Sequence, residues 1–393
     1  MTEMKQHTLE QCFSLRARIG WQGLRAEEFK EYGPYLVTGT DFKNGKVDWD
    51  TCYHVTEDRY AQDKGIQLKQ HDLLITKDGT IGKTAVVESC PEKVTLNSGV
   101  FVVRAINNEI VPEYLYYVLN SHQFDLFIQN ALTGSTIKHL NQEKFYKFTF
   151  KAPSVPEQKK IAEVLSELDE VIDRTREIVE KYQNVKTGLM LRLLKCDRKV
   201  PLSSLGEIIA GSTPSTAEGK YWDGDATWIT PADLSKMTSP FISSSSRKLT
   251  SLGVKKATGT LLPENTFLMS TRAPVGYCAV VTCPFSFNQG CKAVKAKNSV
   301  DSLYLYYYFS DKKKKLESVS SGTTFLELSK KEFERFLVAI PEDKETQKEI
   351  SEQILSVDEK IIEESKYYEK LHNIRQGLLQ DLLSGRIEVT NLM

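Results

Sequence analysis

The chain has no CxxC pair, no uninterrupted apolar run near the roughly 18 residues that a membrane helix needs, and no excess of either charge. Its seven cysteines, Cys12, Cys52, Cys90, Cys196, Cys278, Cys283 and Cys291, are odd in number and scattered. That spacing argues against a zinc ribbon and a disulfide scaffold, and fits reduced thiols in a cytosolic protein. The opening MTEMKQHTLEQCF has no apolar stretch of signal-peptide length, so a soluble, cytoplasmic protein without a membrane partner is expected. Lys plus Arg and Asp plus Glu both number 52, so attraction to an anionic polymer has to come from a local patch. Lys312–Lys315, or Arg247, Lys248, Lys255 and Lys256, are the candidates, although a four-lysine run reads first as a solvated helix end.

Catalytic signatures are also missing. His7, His54, His71, His122, His139 and His372 show no ligand spacing, and there is no HExxH, no GxSxG and no GxGxxG after a strand. Nor is there an Asn/Asp-Pro-Pro-Tyr/Phe run of the kind an amino-methyltransferase uses to hold its base. GTIGKT at Gly79–Thr84 imitates the end of a phosphate loop, but Lys77 stands where the first glycine belongs, and β-forming residues follow where a helix is required. A strand-turn-strand with Gly79 and Gly82 at special backbone angles is the better reading. The sequence offers surfaces rather than chemistry.

What is present is a repeat. Residues 157–194 and 346–383 are two copies of one amphipathic helix, with Gln158 facing Gln347, Asp169 facing Asp358 and Gly188 facing Gly377. The first seam runs Ile161, Leu165, Leu168, Ile172, Thr175, Val179, Tyr182, Lys186, Leu189, Leu193. The second runs Ile350, Ile354, Val357, Ile361, Glu364, Tyr368, Leu371, Arg375, Leu378, Leu382. Steps of three and four mark a coiled-coil seam, and the polar interruptions fall at equivalent places. The two helices are therefore expected to pack on each other.

The segments before the helices repeat too. Tyr35–Phe42 resembles Thr227–Leu234, Asp78–Val87 corresponds to Arg272–Val281 with Gly82 facing Gly276, and YLYY recurs at Tyr114 and Tyr304. In the first segment, short strands over 72–76, 84–87, 99–104 and 145–150 and one helix over 112–129 are expected, and Phe145–Pro153 and Phe333–Pro341 should each end as a strand and a proline. Matching turns carry polar residues of changed identity. They are Lys77, Asp78, Thr80 and Lys83; Asn97 and Ser98; and Ser135, Thr136 and Lys138 in the first copy. Thr271 and Arg272, Asn288 and Gln289, and Thr323 and Thr324 occupy the second. Such side chains can read base edges or grip phosphates.

Two unlike globular segments, each followed by a near-identical helix ending Gly-Leu-Met/Leu-x-x-Leu-Leu (Gly188–Leu194, Gly377–Leu383), resemble the specificity subunit of type I restriction-modification systems. The Lys77–Lys83 turn, TGST at Thr133, FKAPSVPEQKKIAEVL and LLSGRI at Leu382 also resemble that family, so the likeness covers the whole chain. It implies an α+β fold with target-recognition domains at 1–154 and 197–342, and spacer helices at 155–196 and 343–386 packed as an antiparallel coiled coil with pseudo-two-fold symmetry. A tail follows at 387–393. Each domain would read one half of a bipartite, asymmetric double-stranded DNA target, with Lys77, Asp78, Thr80, Lys83, Asn97, Ser98, Ser135, Thr136, Lys138, Thr271, Arg272, Asn288, Gln289, Thr323 and Thr324 as the contact candidates. The resemblance also implies a chain with no catalysis, cofactor or metal of its own. It would hold two S-adenosylmethionine-dependent adenine methyltransferase subunits, joined by restriction subunits that use ATP and Mg. Thirty-eight helical residues at ~1.5 Å make a rod of about 57 Å, long enough to hold two readers one DNA turn apart. One departure is Cys196, which stands where the second copy has Gly385, so the first helix is expected to end differently or to run slightly further. An enzyme with an unrecognised site and a protein-binding adaptor are the rival readings; turnover by the chain alone, or failure to bind DNA, would favour them.

Overall fold

The computed structural model of the chain describes residues 4–19, 23–132, 139–319 and 327–389. It divides into two units, one formed by Met1–Arg174 with Tyr368–Met393 and the other by Thr175–Tyr367. The long helices, Val155–Leu193 and Lys344–Ser384, each contribute to both units.

In the first unit a six-stranded sheet runs in the order Phe13–Arg16, Val100–Ala105, Leu73–Thr76, Thr84–Val86, Lys46–Val47, Phe42–Lys43. Its central strands are buried on both faces, which is why they read as continuous apolar runs. Alternation decides which core each residue joins. Leu73, Ile75, Phe101 and Val103 face the helices, with Tyr114, Leu115, Ile161, Leu165, Leu379 and Leu382, whereas Leu74, Val100 and Val102 face Val37, Val94 and Leu96. A three-stranded sheet backs this second core, its strand Lys30–Val37 pairing in parallel with Val94–Leu96. The strand Lys5–Thr8 pairs separately with Thr149–Ala152, just before the long helix starts.

The second unit repeats the plan with five strands, Gly206–Ala210, Cys291–Ala296, Thr266–Ser270, Cys278–Val281, Phe241–Ile242. Phe267, Met269 and Val294 join the helix-side core with Tyr304, Leu305 and Ile354, and Leu268 and Ala293 the other. Strand Trp222–Ile229 pairs in parallel with Phe285–Phe287. Arg247, from the basic group noted in the sequence, stacks 3.6 Å over the Trp222 ring.

Two expectations are corrected. The helix read over 112–129 is two helices, Pro112–Val118 and His122–Leu132. Side chains compete with the ladder at the break: Asn120 donates to Tyr116 O and Thr84 Oγ1, and Ser121 Oγ donates to Val118 O. The strands read from Phe145 and Phe333 are shorter, Thr149–Ala152 and Leu337–Ala339, because Phe145 and Phe333 sit on preceding helical turns, Gln142–Tyr146 and Lys330–Arg335, with their rings fully buried.

Both long helices are tied to their globular partners by the same glutamine. Gln158 Nε2 donates to Glu109 O and Pro153 O, both at 2.9 Å, and its Oε1 accepts from Val111 N at 3.0 Å. Gln347 Nε2 donates to Ser299 O and Pro341 O, and its Oε1 accepts from Asp301 N. Each amide is 1% exposed and uses both its donor and acceptor sides, so neither side chain can rotate without orphaning buried groups. The first turns are capped by Glu157 accepting from Ser154 N and Asp343 accepting from Thr346 N.

The seam's interruptions are functional parts of the packing. Within the first unit, Arg375 Nε and Nη2 donate to Asp169, whose Oδ2 also accepts from Tyr117 Oη at 3.2 Å. Within the second, Lys186 Nζ donates to Asp358 Oδ1 at 2.5 Å, and Tyr307 Oη donates to Oδ2 at 2.9 Å. Burial first, and then the adjacent carboxylate, push both phenols well above their ordinary range, so each stays a donor at neutral pH. Burial tends to lower the Arg375 pKa, but hydrogen bonding and charge from Asp169 outweigh it and raise it. The seam residues Ile161, Leu165, Leu168, Ile172, Val179, Leu189, Ile350, Ile354, Val357, Ile361, Leu371 and Leu378 are all buried or half-buried.

The two helix ends differ. The second closes on Gly385 at φ +69, with Arg386 N donating to Asp381 O. The first stops at Leu193, short of the equivalent position rather than beyond it, and Cys196 is not in the left-handed region that its Cβ disfavours.

Arg375→Leu alone strands the Asp169 charge and is expected to cost about 2 to 3 kcal/mol. The double variant Asp169→Leu with Arg375→Leu should recover most of it, measured by chemical denaturation followed by tryptophan fluorescence and circular dichroism.

Candidate functional site

In the first unit the strand Leu73–Thr76 ends at the turn 77–83, and a single buried hydroxyl shapes that turn. Thr76 Oγ1 donates to Thr80 O at 2.5 Å and accepts from Lys83 N at 2.9 Å, while Gly82 N donates back to Thr76 O. Gly79 and Gly82 lie at φ +67 and +88, a region that costs other residues strain. Two neighbouring segments are fastened to this turn by the backbone. Lys77 N donates to Gly99 O, and Leu140 N donates to Lys77 O, both at 2.9 Å. The fold therefore gathers turns 77–83 and 97–99 and the segment at His139, which are far apart in sequence.

The second unit uses the same construction. Ser270 Oγ donates to Pro274 O and accepts from Tyr277 N, and Gly276 N, at φ +86, donates to Ser270 O. Thr271 N donates to Gly290 O, and Leu328 N to Thr271 O, both at 2.8 Å. The polar side chains fixed on this common frame differ. In the first unit the clasp between the turn and the following segment is Asp78 Oδ1 with His139 Nδ1. At the equivalent positions of the second it is Arg272 with Glu327, 3.1 Å apart. The anion lies on the turn in one unit and on the facing segment in the other.

The sequence candidates occupy different depths. Asp78, Thr80, Lys83, Arg272 and Gln289 are exposed, and Asn97, Ser98 and Asn288 are half-buried. Lys77 is largely covered, its ammonium 3.2 Å from Asp78 Oδ2 and 5.7 Å from the centre of the Phe101 ring. Thr271 is fully buried, and its hydroxyl accepts from Lys292 Nζ at 2.9 Å, so its side chain braces the turn from inside. Ser135, Thr136, Lys138, Thr323 and Thr324 lie outside the described residues. Burial raises the Asp78 pKa, but the His139 hydrogen bond and then Lys77 outweigh it and hold the carboxyl below its usual value. Sequence reasoning missed His139 and Glu327; their signal is position, since each immediately precedes the leucine that closes the segment, Leu140 or Leu328. Asn288 and Gln289 are oriented by Thr213, whose Oγ1 accepts from Asn288 Nδ2 at 3.0 Å and donates to Gln289 Oε1.

A separate cleft of 610 Å³ in the first unit lies against the start of the long helix. Tyr116 and Val86 supply apolar wall, but Glu113, Glu163, Asp169 and Asp173 make it unsuited to a phosphate chain.

Residues 21–182 and 198–373 each match the type I restriction modification DNA specificity domain. The Methanocaldococcus jannaschii type I restriction enzyme MjaIX specificity subunit is 37% identical over 167 residues, 42% of this chain and 38% of that one. The putative MjaX specificity subunit of the same organism is 24% identical over 395 aligned positions, covering 93% of this chain and 90% of the relative. In fold, the chain is similar to the crystal structure of the type I restriction-modification S subunit from M. genitalium, with a TM-score of 0.65 and 14% identity over 97% of this chain and 96% of that one.

Thr76→Ala or Ser270→Ala removes the hydroxyl at the heart of one turn and is expected to cost about 1 to 2 kcal/mol. Amide exchange at Lys83 or Tyr277, respectively, should quicken, while Thr76→Ser and Ser270→Thr retain protection; hydrogen exchange followed by mass spectrometry reads both.

Proposed function

The chain belongs to the family of the type I restriction modification DNA specificity domain, matched by two segments that together cover most of its length, and we propose how its two units divide the reading of a bipartite, asymmetric double-stranded DNA target between them. It is a specificity subunit, and its two target-recognition domains share one frame. The observation that carries the division of labour is the clasp of inverted polarity, Asp78 with His139 against Arg272 with Glu327, on otherwise equivalent turns. A carboxylate accepts and suits the amino edges of cytosine or adenine, whereas a guanidinium donates and suits guanine O6 and N7. Asp78, Thr80, Lys83, Asn97 and Ser98, together with Ser135, Thr136 and Lys138, form the first reading surface. Arg272, Asn288 and Gln289, together with Thr323 and Thr324, form the second. Lys77 and Thr271 position these turns rather than reaching a groove, which their burial supports.

In this reading the chain performs no chemistry itself. The long helices set the number of unread base pairs and dock two methyltransferase subunits, which carry S-adenosylmethionine and modify adenine; restriction subunits bring ATP and Mg. The complex works in the cytoplasm, and among the described residues no helix is long and apolar enough to cross a membrane.

Replacing residues 200–340 with the second globular segment of another family member should change one half of the target and leave the other half and the spacer intact. Mapping methylated adenines across a genome that co-expresses the chimera and its methyltransferase reads this out, and a change in both halves would overturn the assignment. Inserting one heptad into each long helix keeps the seam in register and adds about 10.5 Å, roughly three base pairs of rise, so the spacer should lengthen with both half-sites unchanged.

A further inference from the structure

We propose that the first unit binds a zinc ion through His7, Cys12 and Glu109. His7 Nδ1 lies 3.7 Å from Cys12 Sγ and 3.7 Å from Glu109 Oε2, and Sγ lies 4.0 Å from the same oxygen. The nearest point equidistant from these three atoms lies in their plane about 2.2 Å from each, and an ion lifted out of that plane to a tetrahedral position stays about 2.3 Å from each, at the long end of zinc–sulfur, zinc–nitrogen and zinc–carboxylate bonds of roughly 2.0 to 2.3 Å. One thiolate, one imidazole and one carboxylate suit zinc and disfavour the hard, all-oxygen cations. The outer side of Glu109 is open to solvent, so water can complete a tetrahedron.

Neighbouring bonds hold the donors in place. Ile106 N donates to Cys12 O, Asn107 Nδ2 donates to Gln11 O, and Glu109 N donates to Asn107 Oδ1, which fixes the Glu109 loop against the segment bearing Cys12. His7 is carried by the strand paired with Thr149–Ala152, and its ring stacks on Phe150.

The repeat supplies an internal control. Lys297 N donates to Leu205 O as Ile106 N does to Cys12 O, Gln347 reaches Ser299 O as Gln158 reaches Glu109 O, and Val200 pairs with Val338 as His7 pairs with Phe150. The second unit thus builds the same backbone with Val200, Leu205 and Ser299 where the first has His7, Cys12 and Glu109. The frame needs none of the three donors, and their convergence in one unit is explained by a ligand they share. Sequence spacing hid the site because Glu109 arrives from 97 residues beyond Cys12. The ion would clamp the first strand to the loop that Gln158 grips, bracing the start of the long helix.

Titrating the reduced, full-length chain with Co²⁺ tests this. One equivalent should give a near-ultraviolet thiolate-to-cobalt band that Zn²⁺ abolishes, and Zn²⁺ should raise the melting temperature. Cys12→Ser should lose the band, and His7→Gln, a milder change at a half-buried position, should lose both the band and the zinc-dependent shift while keeping the wild-type circular dichroism. Absence of the band in the wild-type chain, or its persistence in both variants through one of the other cysteines, would overturn the proposal.

Discussion

Two carboxylates set against apolar helix seams constrain the packing around them. Asp169 and Asp358 each meet a cation and a hydroxyl donor: Arg375 with Tyr117 in one unit, and Lys186 with Tyr307 in the other. The cation comes from one long helix and the phenol from the globular layer, so the carboxylate on the other helix fixes both relationships at once. A slip of one seam step would separate the charges while leaving the hydrophobic contacts nearly as good, so the polar triad selects the register that leucines and isoleucines alone leave degenerate.

Given that constraint, the variation elsewhere becomes intelligible. Gln158 and Gln347, the buried hydroxyls of Thr76 and Ser270, and the glycines at 82 and 276 recur because they satisfy backbone groups that every copy of this frame must satisfy. Side chains beyond those bonds have no such duty. Asp78 and Arg272 can therefore exchange sign, provided that the facing residue exchanges with them.

Much of this was legible in the sequence, and the rest was hidden for definite reasons. The doubled plan, the seam and the turn at Gly79–Gly82 follow from periodicity and glycine placement, which are local signals. Lys186 and Arg375 read only as interruptions, because their meaning depends on aspartates more than 170 residues away. The break at Asn120–Ser121 escaped because apolar spacing continues through it, and the side-chain hydrogen bonds that compete with the backbone ladder there leave no mark on that spacing. His139, Glu327 and the meeting of His7, Cys12 and Glu109 depend on long-range strand pairing, to which no spacing rule is sensitive.

The division of the chain into units is nested rather than sequential. Residues 175–367 hold one unit whole, while the other is split around it and needs Leu379, Leu382 and Val389 to close the core that contains Ile161 and Leu165. A ribosome making this chain therefore completes the inner unit first, and the outer one waits, with part of its apolar face uncovered, until the last helix emerges. Synthesis that stops after the inner unit leaves the second reader whole and the first unfinished, so the helix Lys344–Ser384 acts as a completeness check on the domain whose core it closes.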